Sequence, residues 1–545
     1  MNYTLKAVFF LLVSFCNLES YCQPVKYQLS QSKGVDAKNL VHIEMTFQSD
    51  KSGVTKLLLP DKWTDADHLF ENIVNVILKN KETQNVWLID SALPFEKYII
   101  SPPNTELKLT YDLIDNSQHN FKPHINEKYF SFIGKTAFIV PELQGDNESN
   151  NIILEWLVPE AQKSYRLVNS YGIDQKCQKI SKEELLEGIF QGGDLFISLH
   201  GDGDHKIIFS YSQEYSTRSN YEKDAVNLIM AQRLAMQDNN IPYYFIPSII
   251  ELDKIFSATH LKNSVLFVYG DDWLSLPRDE LIRHMAHEFF HYWIGHKIKA
   301  SNDYLSSMWF FEGFNDFISI ELAFQSEFLR ENAYVDIKNR LLKAHYVSPF
   351  QAISNKNVAL YYWDNPELHG APYIKGHLFA QFCDQILKEK NRSLLDVISL
   401  LSQPNSPYYK ERFTEKDLIN ALANLVSLDI YEAYVKYFIK CECFGDEIDL
   451  KLKGYPLDFV NFNMPNYNLN VVATFIENRI IGLSKENELY RLGFRDGWPI
   501  SNMKIDPLLK TEFIEVDIFD PADKLKKIVL KPYHYSLRIP AFKQK

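Results

Sequence analysis

Two histidines one helical turn apart, His287 and His291, bracket Glu288-Phe289-Phe290. Residues four apart on an α-helix share a face, with Cβ atoms roughly 5–6 Å apart, so these two imidazoles can grip one tetrahedral ion. Glu288 projects close to that face without lying in line with either ring. A carboxylate there can take a proton from a water that the ion has acidified to a pKa of about 7. The trio therefore points to metal-assisted hydrolysis. A third ligand has to come from another element, and Glu312 in Trp309-Phe310-Phe311-Glu312-Gly313-Phe314 is the candidate. Two imidazoles and one carboxylate leave a position of a zinc ion open for water. Asp316 stands one turn beyond Glu312, where it can accept a hydrogen bond from the far nitrogen of a ligating imidazole and fix its tautomer. His284 and His296 flank the motif; three ligands on one helix would make an unusual catalytic site, so His284 is read as a supporting or surface residue.

The elements that must position these groups are legible around them. Pro277 suits a first helical turn, Asp279 and Glu280 complement its positive end, and Leu281, Met285, Phe289 and Trp293 form an apolar stripe that Gly295 can stop. The loop Ser301-Asn302-Asp303 then turns the chain into a second helix carrying Glu312. Upstream, Lys206–Ser212, Tyr243–Ile246 and Val265–Tyr269 read as strands and Ala225–Met236 as a helix, a layout able to hold a metal cleft between two lobes. Downstream, Thr414 and Asp417 form a capping box before an apolar-periodic helix.

Residues 23–205 alternate as half-buried strands do. Val41, Ile43, Met45 and Phe47 interleave with polar residues, as do Leu107, Leu109, Tyr111 and Leu113. Beyond Gly454 the pattern returns to strands at Val471–Phe475, Ile480–Leu483, Ile514–Phe519 and Lys527–Leu530. The expected fold is multidomain α+β, divided as 1–22 signal peptide, 23–205 β-rich domain, 206–445 catalytic domain and 446–545 C-terminal β domain.

Bulk properties exclude some functions. The 545 residues carry a formal net charge of −12, with a pI of about 5.7 and no basic run, which makes a nucleic-acid partner a poor fit. Lys6, the apolar run Ala7–Cys16 and the small residues around Ser20-Tyr21-Cys22 form an export signal with cleavage before Gln23. The mature chain is expected in the periplasm or secreted, without a later membrane span. Its four remaining cysteines, Cys177, Cys383, Cys441 and Cys443, are too few for a disulfide framework.

With these motifs in view, the sequence resembles the gluzincin metallopeptidases, whose third ligand lies in a segment like Glu312-Gly313-Phe314. Tyr373-Ile374-Lys375-Gly376 looks like the Y-x-K-G motif of the glycyl-aminopeptidase family and, more distantly, the aminopeptidase N family. Ala286–Trp293 and Ser393–Val397 resemble the glycyl-aminopeptidase versions. The resemblance implies one Zn2+ per chain, peptide or protein substrates, and Tyr373 as hydrogen-bond donor to the oxyanion of the tetrahedral intermediate. It also implies a β N-terminal domain, a thermolysin-like catalytic domain and a PDZ-like C-terminal domain, the last carried by Leu489–Gly497. One feature departs from the pattern. The glutamate that binds a substrate's free amine is missing, and Tyr269-Gly270-Asp271-Asp272-Trp273 stands in its place. Asp271 or Asp272 can substitute, or both can cap a turn. An aminopeptidase, an endopeptidase of the same fold and an inactive peptide-binding protein are the resulting alternatives.

Overall fold

A computed structural model describes residues 24–543 except 35–38, 65, 80–85, 117–120, 144–151, 159–163, 202–205, 213–218, 239–242, 252–255, 271–275, 349, 351–352, 364, 443–454, 505–513, 520–524 and 532. The export segment and the Asp271/Asp272 pair lie outside the described residues. The chain forms two compact units, Met1–Arg218 with Ile241–Leu274, and Ser219–Asn240 with Ser275–Lys545.

The first unit is built on sheets. Val25–Lys33 (β1), Asn39–Gln48 (β2), Ile73–Leu78 (β3), Glu106–Ile114 (β4), Ile152–Trp156 (β5) and Cys177–Ile180 (β6) form a six-stranded sheet in the order β6-β5-β1-β2-β4-β3. The alternation expected in β2 and β4 is present, and its register sets Ile43 opposite Tyr111, Met45 opposite Leu109 and Phe47 opposite Leu107. All six side chains are buried, so one face of this antiparallel pair is continuous core. A four-stranded and a five-stranded sheet contribute Leu57, Ile99, Phe130 and Phe190 to the same core.

Leu195–His200 (β7), Lys206–Ser212 (β8), Tyr243–Glu251 (β9), Phe256–Leu261 (β10) and Ser264–Gly270 (β11) make a further sheet in the order β7-β8-β9-β11-β10. The β8, β9 and β11 strands are parallel, and β7 pairs antiparallel with β8. The expected division at residue 205 thus falls between two strands that pair with each other.

The second unit is mainly helical. Ser219–Ala235 (α1), Arg278–Phe290 (α2), Tyr304–Met308 (α3), Asn315–Gln325 (α4), Glu331–Val347 (α5) and Gly370–Glu389 (α6) surround the candidate centre. The Gln232 amide of α1 donates to the Ala286 carbonyl of α2 at 2.8 Å, and Arg278 forks onto Asp224 at 2.8 and 2.9 Å, pinning α1 along α2. The expected helix after Thr414 is Glu415–Leu425, with its capping box formed by Thr414 and Asp417.

The C-terminal segment does not keep a core to itself. Tyr467, Phe475, Ile480 and Ile514 pack in one cluster with Met308, Phe350, Val358 and Tyr362 of the helical part. Its sheets comprise a two-stranded ribbon, Leu457–Asn466 (β12) with Tyr533–Phe542, and a three-stranded sheet of Ile500–Lys504, Ile514–Phe519 and Leu525–Leu530. The expectation of a strand at Val471–Phe475 is corrected, because Val471–Glu477 is a helix. The Asn470 side chain accepts from the Ala473 amide at 3.0 Å and Asn478 closes the helix at φ 48°, so local capping outweighs the β preference of Val471 and Val472. Ile480–Leu483 forms no strand either; beside it Arg479 makes a single bridge with Pro499.

Candidate metal centre

Helix α2 ends at Phe290 rather than running to Gly295, and His291 occupies its cap with helical φ and ψ. It therefore keeps the one-turn offset from His287 while its ring is fixed by the turn that follows. His291 Nδ1 donates to the Ile294 carbonyl at 2.9 Å, and a carbonyl can only accept, so the proton belongs on Nδ1 and the Nε2 lone pair faces His287 and Glu312. Gly295, at φ 140°, lets the chain turn there.

His287 Nδ1 faces Asp316 Oδ1 at 3.7 Å, which again leaves Nε2 as its inner nitrogen. The two Nε2 atoms are 3.1 Å apart, and Glu312 Oε2 lies 3.2 Å from one and 3.5 Å from the other. Ligand atoms of His287, His291 and Glu312 all fall within 4.8 Å of one another, so the three residues chosen from spacing meet at one point.

Glu312 does not sit in an ordinary helix. Trp309–Phe314 is a π-helical turn, which the sequence did not predict. Single π turns recur where a helix must re-aim a side chain. The Trp309 indole donates to Glu415 Oε1 at 3.1 Å, and Asn355 and Tyr434 donate to the same oxygen. Gly313 and Gly376 then meet across the gap to α6. A Cβ on Gly313 would lie 2.3 Å from Gly376 Cα, and one on Gly376 would lie 1.9 Å from the Trp309 carbonyl oxygen. No other residue fits that approach, which explains physically why both motifs carry a glycine at these positions. The close approach brings Tyr373 to the centre, its ring over His287 at a centroid distance of 5.7 Å and an interplanar angle of 30°.

No family model and no curated protein matches the sequence. Among solved structures, the crystal structure of an aminopeptidase N family protein from Idiomarina loihiensis is similar, with a TM-score of 0.70 over 95% of this chain and 98% of that chain and 14% sequence identity. The chain has an aminopeptidase N-like fold. At that identity the likeness is one of backbone architecture, and side-chain roles follow from the geometry of this chain.

Within that fold the electrostatics favour a cation. Burial raises the cost of charging Glu312, but the charge of His291 and the hydrogen bonds of both imidazoles outweigh it, and its carboxyl stays well below the usual range. Asp316 behaves alike: burial opposes its charge, while Arg283 at 3.5 Å, His287 and His377 hold it ionised. Burial lowers His287, yet Asp316 and Glu312 reverse that and push it up to about 10. The ring thus lies between two carboxylates, with Asp316 on its Nδ1 side and Glu312 on the Nε2 side where a metal ion would bind. Two imidazole nitrogens and a carboxylate oxygen suit zinc among the common divalent ions. Glu288 is the exception among the acids. Burial raises it further than the two imidazoles lower it, and the neighbouring Glu312 adds to the rise.

Tyr304 was not singled out from sequence. Its hydroxyl donates to Glu312 Oε1, opposite the oxygen that faces the imidazoles. A tyrosine just past a polar loop carries no distinctive signal, and the π turn hides its offset from Glu312. Tyr304 and Tyr373 both have their hydroxyls pushed well above the usual range, by burial first and by Glu312 next, so they are donors at any physiological pH. Cys177 and Cys441 are at least partly accessible and Cys383 is buried; all three are free thiols among the described residues. No helix among the described residues is long and apolar enough to cross a membrane.

Proposed function

We propose that this chain is an exported zinc metallopeptidase of the aminopeptidase-like type. The observation that carries the reading is the convergence of His287 Nε2, His291 Nε2 and a Glu312 oxygen, with the half-buried Glu288 next to His287 in the same helix. A zinc ion held by those three residues supplies Lewis-acid polarisation of a scissile carbonyl and a water acidified to near neutral pH. Glu288, whose proton affinity is raised by burial, takes the proton of the attacking water and returns it to the leaving amine. The Tyr373 hydroxyl donates to the oxyanion, while Asp316 fixes the His287 tautomer and Tyr304 holds the outer oxygen of Glu312.

The finer assignment to the glycyl-aminopeptidase type rests on Ala286–Trp293, on Tyr373–Gly376 and on the sequence order of a β-rich, a thermolysin-like and a PDZ-like part. The PDZ-like reading has in its favour the short helix Glu488–Arg491 followed by Gly493 at φ 96°. Export rests on residues 1–22, and amine recognition on Asp271 or Asp272.

Zinc content and hydrolysis of a mixed peptide library test the proposal together, with Glu288→Gln as control. About one zinc per chain, with kcat reduced by up to about 10⁴-fold in Glu288→Gln, is the expected result. Cuts at the amino terminus that acetylation abolishes support the aminopeptidase branch, and internal cuts favour an endopeptidase. Full activity in a zinc-loaded Glu288→Gln would contradict the role given to Glu288, and zinc without cleavage would leave a peptide-binding protein.

A further inference from the structure

Behind Asp316 a chain of buried charged and polar groups continues away from the centre, and nothing in the peptidase reading uses it. His377 Nδ1 lies 2.9 Å from Asp316 Oδ2, and His377 Nε2 lies 3.0 Å from Lys338 Nζ. Lys338 Nζ is 2.9 Å from Glu321 Oε1, and the Tyr334 hydroxyl donates to the same carboxylate. His377 is fully buried, and Lys338 is 2% and Asp316 3% exposed.

The proton positions follow from donor and acceptor capacity. Lys338 pairs with Glu321 and stands over the Phe317 ring at 4.5 Å, and a lysine ammonium can only donate. His377 Nε2 is therefore an acceptor, so the single proton of the imidazole is on Nδ1 and is donated to Asp316. Burial first, and the Lys338 charge second, lower His377 to about 4, in keeping with a neutral ring. Asp316 is then held from two sides, with Oδ2 on His377 and Oδ1 toward Arg283 and His287.

We propose that His377 is a positioning residue for the metal centre: a neutral imidazole that orients the Asp316 carboxylate toward His287 and is itself locked in one tautomer by Lys338. His377 touches neither the ion nor a substrate, and it acts through Asp316. The inference rests on the metallopeptidase reading and deepens it. It assigns a function to the residue directly after the Tyr373–Gly376 motif.

The test is the zinc dissociation constant of the full chain, measured against a chromophoric chelator after stripping with EDTA, for wild type and three variants. In His377→Asn the amide nitrogen reaches the place of Nδ1 and keeps the bond to Asp316. In His377→Gln the amide reaches the place of Nε2 instead, and His377→Leu keeps neither. Expected are zinc affinities about 10–100-fold weaker for the Gln and Leu variants and within about threefold of wild type for Asn. Near-equal affinity in all three would overturn the inference, and so would an Asn variant as weak as Leu, since that would show packing alone at work. If the Leu variant fails to fold, the two polar variants still decide. A wild-type chain that binds no zinc would overturn the metallopeptidase reading with it, whereas normal zinc binding in wild type and all variants would overturn this inference alone.

Discussion

The β-rich unit and the helical unit bury polar groups in opposite ways. Around β1 and β4 the trapped groups are neutral and are satisfied locally: Tyr27 donates to the Ile139 carbonyl at 2.8 Å, and the Ile139 amide donates to the Tyr111 hydroxyl at 3.2 Å. Around the centre charged groups and the neutral His377 ring are joined in series, from Glu312 through His287, Asp316, His377 and Lys338 to Glu321. A neutral hydrogen bond of the first kind contributes about 1 kcal/mol. Burying charges costs several kcal/mol per ion unless each is compensated, so the second arrangement is a poor way to gain stability. What it supplies is fixed orientation and a negative hole for a cation. The two regions thus divide folding from chemistry, and perturbations should separate along the same line.

The largest separation is expected at Tyr373. Tyr373→Phe keeps the ring over His287 and removes the hydroxyl, so kcat should fall about 10²–10³-fold with zinc affinity and thermal midpoint nearly unchanged. Steady-state kinetics beside a zinc titration check this. Loss of zinc in parallel with kcat would mean that the phenol supports the ligands rather than the oxyanion.

Acid should act on the helical unit next. Burial lowers His284 to about 4 with help from Arg283, His345 to about 3 with help from Lys375, and His377 to about 4. Their folded values lie below the unfolded value near 6.5, so the unfolded chain binds more protons between those limits. Stability from these groups is complete above about pH 6.5 and is lost as pH falls toward 4, by about 3 kcal/mol for His377 alone. The thermal midpoint of the wild type should drop across this window, and His377→Asn should make the drop shallower. An unchanged slope in that variant would show that His377 does not enter the linkage.

Much of this division was legible in the chain. The alternation in β2 and β4 gave strand, face and core together, because a period of two has one reading when every second residue is apolar. His287, His291 and Glu312 could be chosen because a metal needs few residue types at a spacing that the helix dictates. Other features are set by contacts that leave no local pattern. The π turn at Trp309–Phe314 follows from Glu415, more than a hundred residues away, and from the Gly313–Gly376 approach. Val471–Phe475 reads as a strand because Val471, Val472 and Thr474 are β-branched, but the Asn470 cap makes it a helix. Asp316 lies near His287, as its position one turn beyond Glu312 suggests, whereas no local pattern marks His377 or Lys338.

Tyr304 offers a smaller test on the chemical side. Tyr304→Phe releases the outer oxygen of Glu312, and zinc affinity should weaken about 10-fold, toward the low end for a lost hydrogen bond behind a ligand. Substituting cobalt for zinc makes the consequence visible, since a carboxylate freed to bind through both oxygens raises the coordination number and weakens the visible absorption. An unaltered cobalt spectrum together with unaltered affinity would remove Tyr304 from the centre.

The smallest effect belongs to the β-rich unit, and it tests the comparison from the other side. Tyr27→Phe deletes one neutral hydrogen bond in a core that is otherwise unchanged in shape, leaving the Ile139 carbonyl without that donor. The expected loss is about 1–2 kcal/mol of stability, read as a lower unfolding midpoint in denaturant, with zinc affinity, kcat and the acid dependence untouched. Because Tyr27 is joined only to neighbours of its own kind, its removal has no charged partner to strand and no ligand to tilt. A change in zinc affinity in this variant would show that the two units are coupled more tightly than their separate polar networks imply.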